Sequence, residues 1–151
     1  MFERTFVAGW GDMDFNSHMA NTAYLDRAAD ARMLYFAENG FPMAEFYRLR
    51  IGPVILRDEL EYYREVNLLD EFRVTLEMAE LSADGSRFVI QNTLLRPDGK
   101  PIARIRSKGS WLGLDTRKLV APPEALLRAL QNSERTEDFK EAPSALKSAK
   151  G

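Results

Sequence analysis

The sequence predicts an α+β domain in which a curled antiparallel sheet wraps one long central helix. Three observations lead there. Residues 22–38 hold neither glycine nor proline, and their apolar positions recur at three- and four-residue steps. Extended segments dominate the second half of the chain, broken by Asp84-Gly85 and Pro97-Asp98-Gly99, both good turn chemistry. The helical stretch carries Ala23, Ala28, Ala29 and Ala31 with Tyr24, Tyr35 and Phe36, so it is apolar over much of its circumference, as a helix covered by a sheet must be. A length of 151 residues fits one domain with a real core.

The elements follow in order. From Phe2 to Trp10, Phe2, Phe6, Ala8 and Trp10 share one parity and Glu3 and Thr5 the other, the period of a half-buried strand. Gly11 to His18 is a tight loop, because its short polar side chains compete with regular structure for backbone groups. The helix spans Thr22 to Glu38, about 25 Å at the usual rise, and stops at Asn39-Gly40 with Pro42 beyond. A short helical turn is expected near Met43 to Arg48. Strands are expected near Val54 to Val66, Glu71 to Met78, Arg87 to Arg96 and Ile102 to Leu114, joined as antiparallel hairpins. In the second of these, Phe72, Val74, Leu76 and Met78 alternate with Glu71, Arg73, Thr75 and Glu77 without interruption. Pro122-Pro123 opens a helix over Glu124 to Leu130. Residues 134–151 hold only Phe139 and Leu146 as large apolar side chains, so the domain is expected to cover 1–133 and the remainder to be a mobile tail. One helix on a curled sheet leaves strand edges and apolar surface uncovered, which predicts a homodimer or homotetramer formed by edge pairing.

Composition narrows the chemistry. With 21 lysines and arginines against 23 acids the net charge is −2, so no broad cationic field exists for nucleic acid. There is no cysteine, which removes thiolate nucleophiles, disulfides and zinc-thiolate sites, and His18 is the sole histidine, which removes histidine-rich metal sites. No apolar run approaches the roughly 20 residues that span a bilayer, so no membrane insertion is expected. The Met-Phe-Glu-Arg-Thr-Phe start carries an acid and no apolar stretch, which reads as a cytoplasmic protein.

The densest polar cluster is Asp12, Asp14, Asn16, Ser17, His18 and Asn21, immediately before the long helix. One reading is calcium, since Asp12, Asp14 and Asn16 copy the first, third and fifth positions of a binding loop, yet Ser17 replaces the turn glycine and Ala23 the final glutamate. A second is a plain turn, with Asn21 capping the helix. A third is a reaction centre. The first N–H groups of the helix, near Ala20 to Thr22, lack intrahelical acceptors and suit developing negative charge. Asp14 beside them suits attack on a carbonyl or activation of water, with Asn16 and His18 orienting the reactants. Acyl transfer is the natural chemistry of such a pair.

The stretch Asp12-Met-Asp14-Phe-Asn-Ser-His18-Met-Ala-Asn21, followed by Tyr24, resembles the Asp-x-Asp-x-x-x-His-x-x-Asn stretch of the hotdog-fold thioesterase superfamily. The likeness continues through Gly52-Pro53-Val54, the strand Arg57 to Val66 and Trp111, covering roughly residues 2 to 130. It implies the hotdog fold and hydrolysis of an acyl-CoA or acyl-carrier-protein thioester, with no cofactor beyond the CoA or phosphopantetheine of the substrate itself. By similarity to the 4-hydroxybenzoyl-CoA and acyl-CoA thioesterases, Asp14 is the catalytic carboxylate, and the backbone near Asn21 and Thr22 polarises the thioester carbonyl. The plant acyl-carrier-protein thioesterases share the pattern of Asp14, Asn16 and His18 and a strand similar to Leu60-Glu61-Tyr62-Tyr63-Arg64-Glu65, which makes Glu65 a possible second acid. Three positions depart from the family pattern: Ser17 stands for a glycine, Ala20 for an asparagine and Val66 for the plant enzymes' cysteine. An acyl pocket along the helix is expected from Met13, Phe15, Tyr24, Leu25 and Met33. Two other readings remain on this fold. One is an acyl-thioester-binding protein without turnover. The other is a hydratase or dehydratase, whose motif has a proline after the asparagine and five residues from Asp to His, where Asp14 and His18 are four apart.

Overall fold

The computed structural model describes residues 1–146. Strand β1 (Glu3–Val7) leads through a single 3-10 turn at Trp10–Asp12 to helix α1 (Asn21–Glu38), then α2 (Met43–Leu49) and β2 (Ile51–Tyr62). Next come β3 (Glu71–Thr75), β4 (Glu77–Ser82), β5 (Phe88–Leu95), β6 (Pro101–Gly113), the short β7 (Leu119–Val120), α3 (Glu124–Gln131) and β8 (Arg135–Ala142). Strand β5 lies at the centre of one sheet. Strand β6 pairs along one side of it, and β3 and β4 follow one another along the other. Strand β1 adds outside β3, β8 outside β4 and β2 outside β6, and all pairs are antiparallel except β4 with β8. This is the curled α+β sheet the sequence predicts. No helix among the described residues is long and apolar enough to cross a membrane.

Helix α1 lies against the sheet because small side chains on its inner face let the two backbones approach. Ala23, Ala28 and Ala31 are buried there, whereas Asp26, Ala29, Asp30 and Ala37 stay exposed, so within one chain the sheet covers one side of the helix. Tyr35 and Phe36 anchor its far end in an aromatic cluster with Phe41, Phe46, Phe88 and the fully buried Trp111. The Trp111 indole N–H donates to the Gly85 carbonyl at 3.0 Å, satisfying its polar atom.

Four expectations are corrected. Asn21 is the first residue of α1 and Ala20 precedes it as the cap, with no side-chain hydrogen bond to the helix amides. The strand expected over Glu71 to Met78 breaks at Leu76, although Phe72, Val74, Leu76 and Met78 are all buried. At the break, side chains replace ladder bonds: Asn92 donates to the Thr75 carbonyl at 2.8 Å and the Thr93 N–H donates to the Thr75 hydroxyl at 3.2 Å. The strand expected to run to Val66 ends at Tyr62, after which the Tyr63 and Arg64 N–H groups both turn onto the Ile102 carbonyl and carry residues 63–66 under the loop that precedes α1.

The fourth correction concerns the tail. Residues 135–142 form β8, so the domain continues past 133, and 147–151 lie outside the described residues. Composition misleads here because β8 is an outer strand that needs few apolar side chains. Its anchors are the half-buried Phe139, against which Arg135 stacks at 4.2 Å, and a carboxylate. Asp84, in the β4–β5 turn, accepts hydrogen bonds from Ser82, Ser86 and the Ser144 hydroxyl beyond β8. Partial burial opposes the charge on Asp84, but the bonds from Ser144, Ser86 and Ser82 outweigh it and hold the carboxyl well below the usual carboxylate range. A group so depressed stabilises the folded state above its ordinary value of 3.8 and loses that contribution as pH falls toward its folded value. Hydrogen exchange across residues 135–146 is therefore expected to quicken, relative to the α1 amides, on acidification below 3.8, and Asp84→Ala is expected to produce the same release at neutral pH.

Candidate active site

The loop between β1 and α1 is organised by Asp12. Its carboxylate accepts the Gly9 N–H at 2.8 Å and a fork from one Arg27 nitrogen at 2.8 and 2.9 Å, and its carbonyl accepts the Ala20 N–H at 2.7 Å. Burial opposes ionisation of Asp12, but the Gly9 and Arg27 bonds prevail and lower its pKa. These contacts spend the Asp12 oxygens on the protein itself, which removes the first ligand of the calcium reading. They also satisfy the Ala20 amide and leave the next two, Asn21 and Thr22, with no acceptor among the described residues.

Between Asp12 and the helix the chain makes a five-residue hairpin. The Asp14 N–H donates to the His18 carbonyl at 3.0 Å and the Ser17 N–H to the Asp14 carbonyl at 3.2 Å, with Met13 and Met19 bridged beside it. Ser17 adopts a φ of 64°, in the left-handed region, so the backbone that the family's glycine would favour is kept here by a serine. The Met19 N–H ties the hairpin to the Val66 carbonyl at 2.8 Å, bringing residues 63–66 alongside.

This geometry presents Asp14. One oxygen accepts the Asn16 N–H at 2.8 Å, and the other lies 3.6 Å from His18 Nδ1, too far for a hydrogen bond. His18 Nδ1 is 3.1 Å from the Met19 carbonyl, so a hydrogen on Nδ1 serves that contact and leaves Nε2 free to accept. Asp14, His18, Asn21 and Glu65 line one cavity of about 540 Å³. Asn16 and Thr22 are exposed and their side chains do not line it. The Asn16 N–H bonds to the Asp14 carboxylate, and the Thr22 N–H has no acceptor among the described residues. Sequence reasoning did not assign Arg27, Tyr62, Tyr63 or Arg64. The last three line the same cavity, and the Tyr62 hydroxyl donates to the Asn21 carbonyl at 3.1 Å.

Tyr24 also lines this cavity, its ring edge-on to Tyr62 at 5.0 Å. Burial raises its pKa, followed by the charges of Tyr62, Glu65 and Asp14. A second, more apolar hollow of about 570 Å³ meets the first at Asp14 and is lined by Trp10, Met13, Phe15, Ser17 and Leu68. Met13 and Phe15, two of the side chains expected around an acyl group, are there, whereas Leu25 and Met33 pack against the core. Trp10 is 82% exposed and Phe15 fully so, an unusual cost in apolar surface at the mouth of a polar cavity.

The chain belongs to the thioesterase-like superfamily, whose family model matches residues 8–130. Solved structures share its hotdog fold. A Staphylococcus aureus protein in complex with CoA aligns with a TM-score of 0.81 and 22% identity, over 92% of this chain and 89% of that one. A 1,4-dihydroxy-2-naphthoyl-CoA thioesterase from Synechocystis aligns at 0.77 and 14%, over 87% and 96%. A gentisyl-coenzyme A thioesterase aligns at 0.76 and 19%, over 85% and 99%.

Because Asp12 shapes the loop through Arg27, Arg27→Met, which keeps the stem and removes the cation, is expected to lower unfolding stability by about 2 kcal/mol in urea melts. Asp30→Ala, at the exposed end of the same arginine, is expected to change it by less than about 0.5 kcal/mol.

Proposed function

We propose that this protein hydrolyses an acyl-CoA thioester, with Asp14 as the nucleophile or general base. The observation that carries the reading is one cavity lined by both Asp14, with one carboxylate oxygen free, and Asn21, at the head of a helix whose Asn21 and Thr22 amides have no acceptor among the described residues. A thioester carbonyl is already electrophilic and its thiolate leaves readily, so the reaction needs a placed nucleophile and a place for negative charge. With the carbonyl oxygen at the helix amides, Asp14 adds to the carbonyl carbon or takes a proton from the water that does. The electron pair moves onto oxygen and returns as the carbon–sulfur bond breaks. CoA leaves as a thiol and the acyl group leaves as an acid, directly or after water opens a mixed anhydride. Only water, the substrate and the chain's own groups take part.

His18, beside Asp14, orients the attacking group, and Asn16 holds the carboxylate through its backbone. Glu65, in the lining of the same cavity, is a second acid in this reading. The acyl group occupies the hollow of Trp10, Met13, Phe15 and Leu68, which shares Asp14 with the polar cavity and offers aromatic surface suited to an aryl or short acyl chain. CoA as the carrier is supported by the Staphylococcus aureus neighbour in complex with CoA and by the naphthoyl-CoA thioesterase of the same fold.

A panel of aryl-CoA and acyl-CoA thioesters with thiol detection tests the reading. Asp14→Asn is expected to lower kcat on the best substrate about 1000-fold or more with the thermal unfolding profile retained. A variant as fast as the parent would remove Asp14 from the chemistry. Tight binding of acyl-CoA with no thiol released by the parent protein would point instead to a binding protein.

The working form in this reading is a homodimer or a pair of homodimers joined along β2. Among the described residues this strand pairs only with β6, and its other edge carries exposed Ile55, Leu56 and Tyr62 with a bulge at Leu56. Light scattering at micromolar concentration is expected to give twice or four times the chain mass, and Leu56→Lys to shift the distribution toward the single chain.

A further inference from the structure

Tyr24 is 3% exposed, yet its hydroxyl makes no hydrogen bond among the described residues. The oxygen is not one of the fully buried atoms without a partner, so it opens onto solvent in the cavity, whereas a phenol closed into a core ordinarily bonds to the protein. Tyr35, the other buried tyrosine of α1, does so, donating to the Ala129 carbonyl at 2.6 Å. The Tyr24 ring is instead held by apolar packing and by the edge contact with Tyr62, in the wall of the Asp14 cavity. Side chains on a helix lean toward its N-terminus, so a ring attached one turn after Asn21 extends back over the turn that begins with the free amides. Asp14 and Glu65 are near enough for their charges to act on it, and both favour the protonated phenol. It bonds to neither carboxylate. A permanent donor is therefore held in the cavity that Asn21 also lines, with no acceptor among the described residues.

Resting on the thioesterase reading, we infer that the Tyr24 hydroxyl is a third hydrogen-bond donor to the thioester oxygen, acting with the N–H groups of Asn21 and Thr22. As Asp14 or water adds to the carbonyl carbon, the π pair moves onto oxygen and Tyr24 donates to it without giving up its proton. When the carbon–sulfur bond breaks, the pair returns and the phenol is unchanged. The donor serves the charged oxygen more than the neutral carbonyl, so its loss should appear in kcat with little change in KM.

The test compares Tyr24→Phe with Asp14→Asn on the best CoA thioester of the panel, measuring kcat, KM and thermal unfolding for each. The expected result for Tyr24→Phe is a kcat about 100-fold lower, a KM within about threefold and no loss of thermal stability, because the hydroxyl contributes no bond to the fold. If Tyr24→Phe keeps more than about a third of the parent kcat while Asp14→Asn has lost it, the inference is overturned and the thioesterase reading stands. If both variants keep the parent rate, the inference is overturned and Asp14 is removed from the chemistry as well. Should Tyr24→Phe unfold, ring-fluorinated tyrosines at position 24 preserve the packing and vary the acidity of the phenol. A kcat that tracks acidity supports the inference, and one that ignores it overturns it.

Discussion

The candidate site depends on how one aspartate is spent. Asp12 uses its carboxylate to hold Gly9 and Arg27 and its carbonyl to hold Ala20. Those bonds decide which amides at the head of α1 are satisfied and which are left over. With Ala20 taken, the helix starts on Asn21 without a side-chain cap, and the Asn21 and Thr22 amides, without acceptors among the described residues, carry the positive end of an 18-residue helix. A serine or aspartate at the cap would stabilise the helix by about 1 kcal/mol and would occupy one of those donors. Ala20 forgoes that stabilisation, as functional sites commonly do.

The rest of the fold serves the same junction. Small side chains on α1 let it lie close against the sheet, so its N-terminus is fixed relative to β2 and to the segment that follows it. The early end of β2 at Tyr62 brings Tyr63, Arg64 and Glu65 across to the loop, and the Met19 to Val66 bond locks the two together. A cavity assembled from positions more than 40 residues apart is thereby held by backbone bonds at both ends, which limits the rearrangement needed when charge develops.

Much of this was legible in the sequence, for identifiable reasons. The long helix was, because residues 22–38 lack glycine and proline and repeat with its period. The polar loop was, because short polar residues before a helix have few other uses. The break at Leu76 was not, since side-chain alternation passes through it unchanged and only the bonds made by the Asn92 amide and the Thr75 hydroxyl in place of ladder bonds reveal it. Strand β8 was not, because an outer strand paired in parallel leaves a polar signature, and its Asp84 anchor joins residues about 60 apart. Asp14, His18, Asn21 and Glu65 line one cavity, whereas Asn16 and Thr22 do not, and Asn16 touches Asp14 only through its backbone N–H. Tyr62, Tyr63 and Arg64 read as a continuing strand, and only the turn after Tyr62 reveals that they face the cavity.

The central claim is that a thioester carbonyl sits between the free Asp14 oxygen and the two leading amides of α1. A crystal structure with a CoA ketone analogue, in which a methylene replaces the sulfur, tests it most directly. The account places the ketone oxygen within hydrogen-bond distance of the Asn21 or Thr22 N–H and the carbonyl carbon over the Asp14 carboxylate. An analogue bound with its carbonyl elsewhere, or with Asp14 turned away from it, would contradict the account.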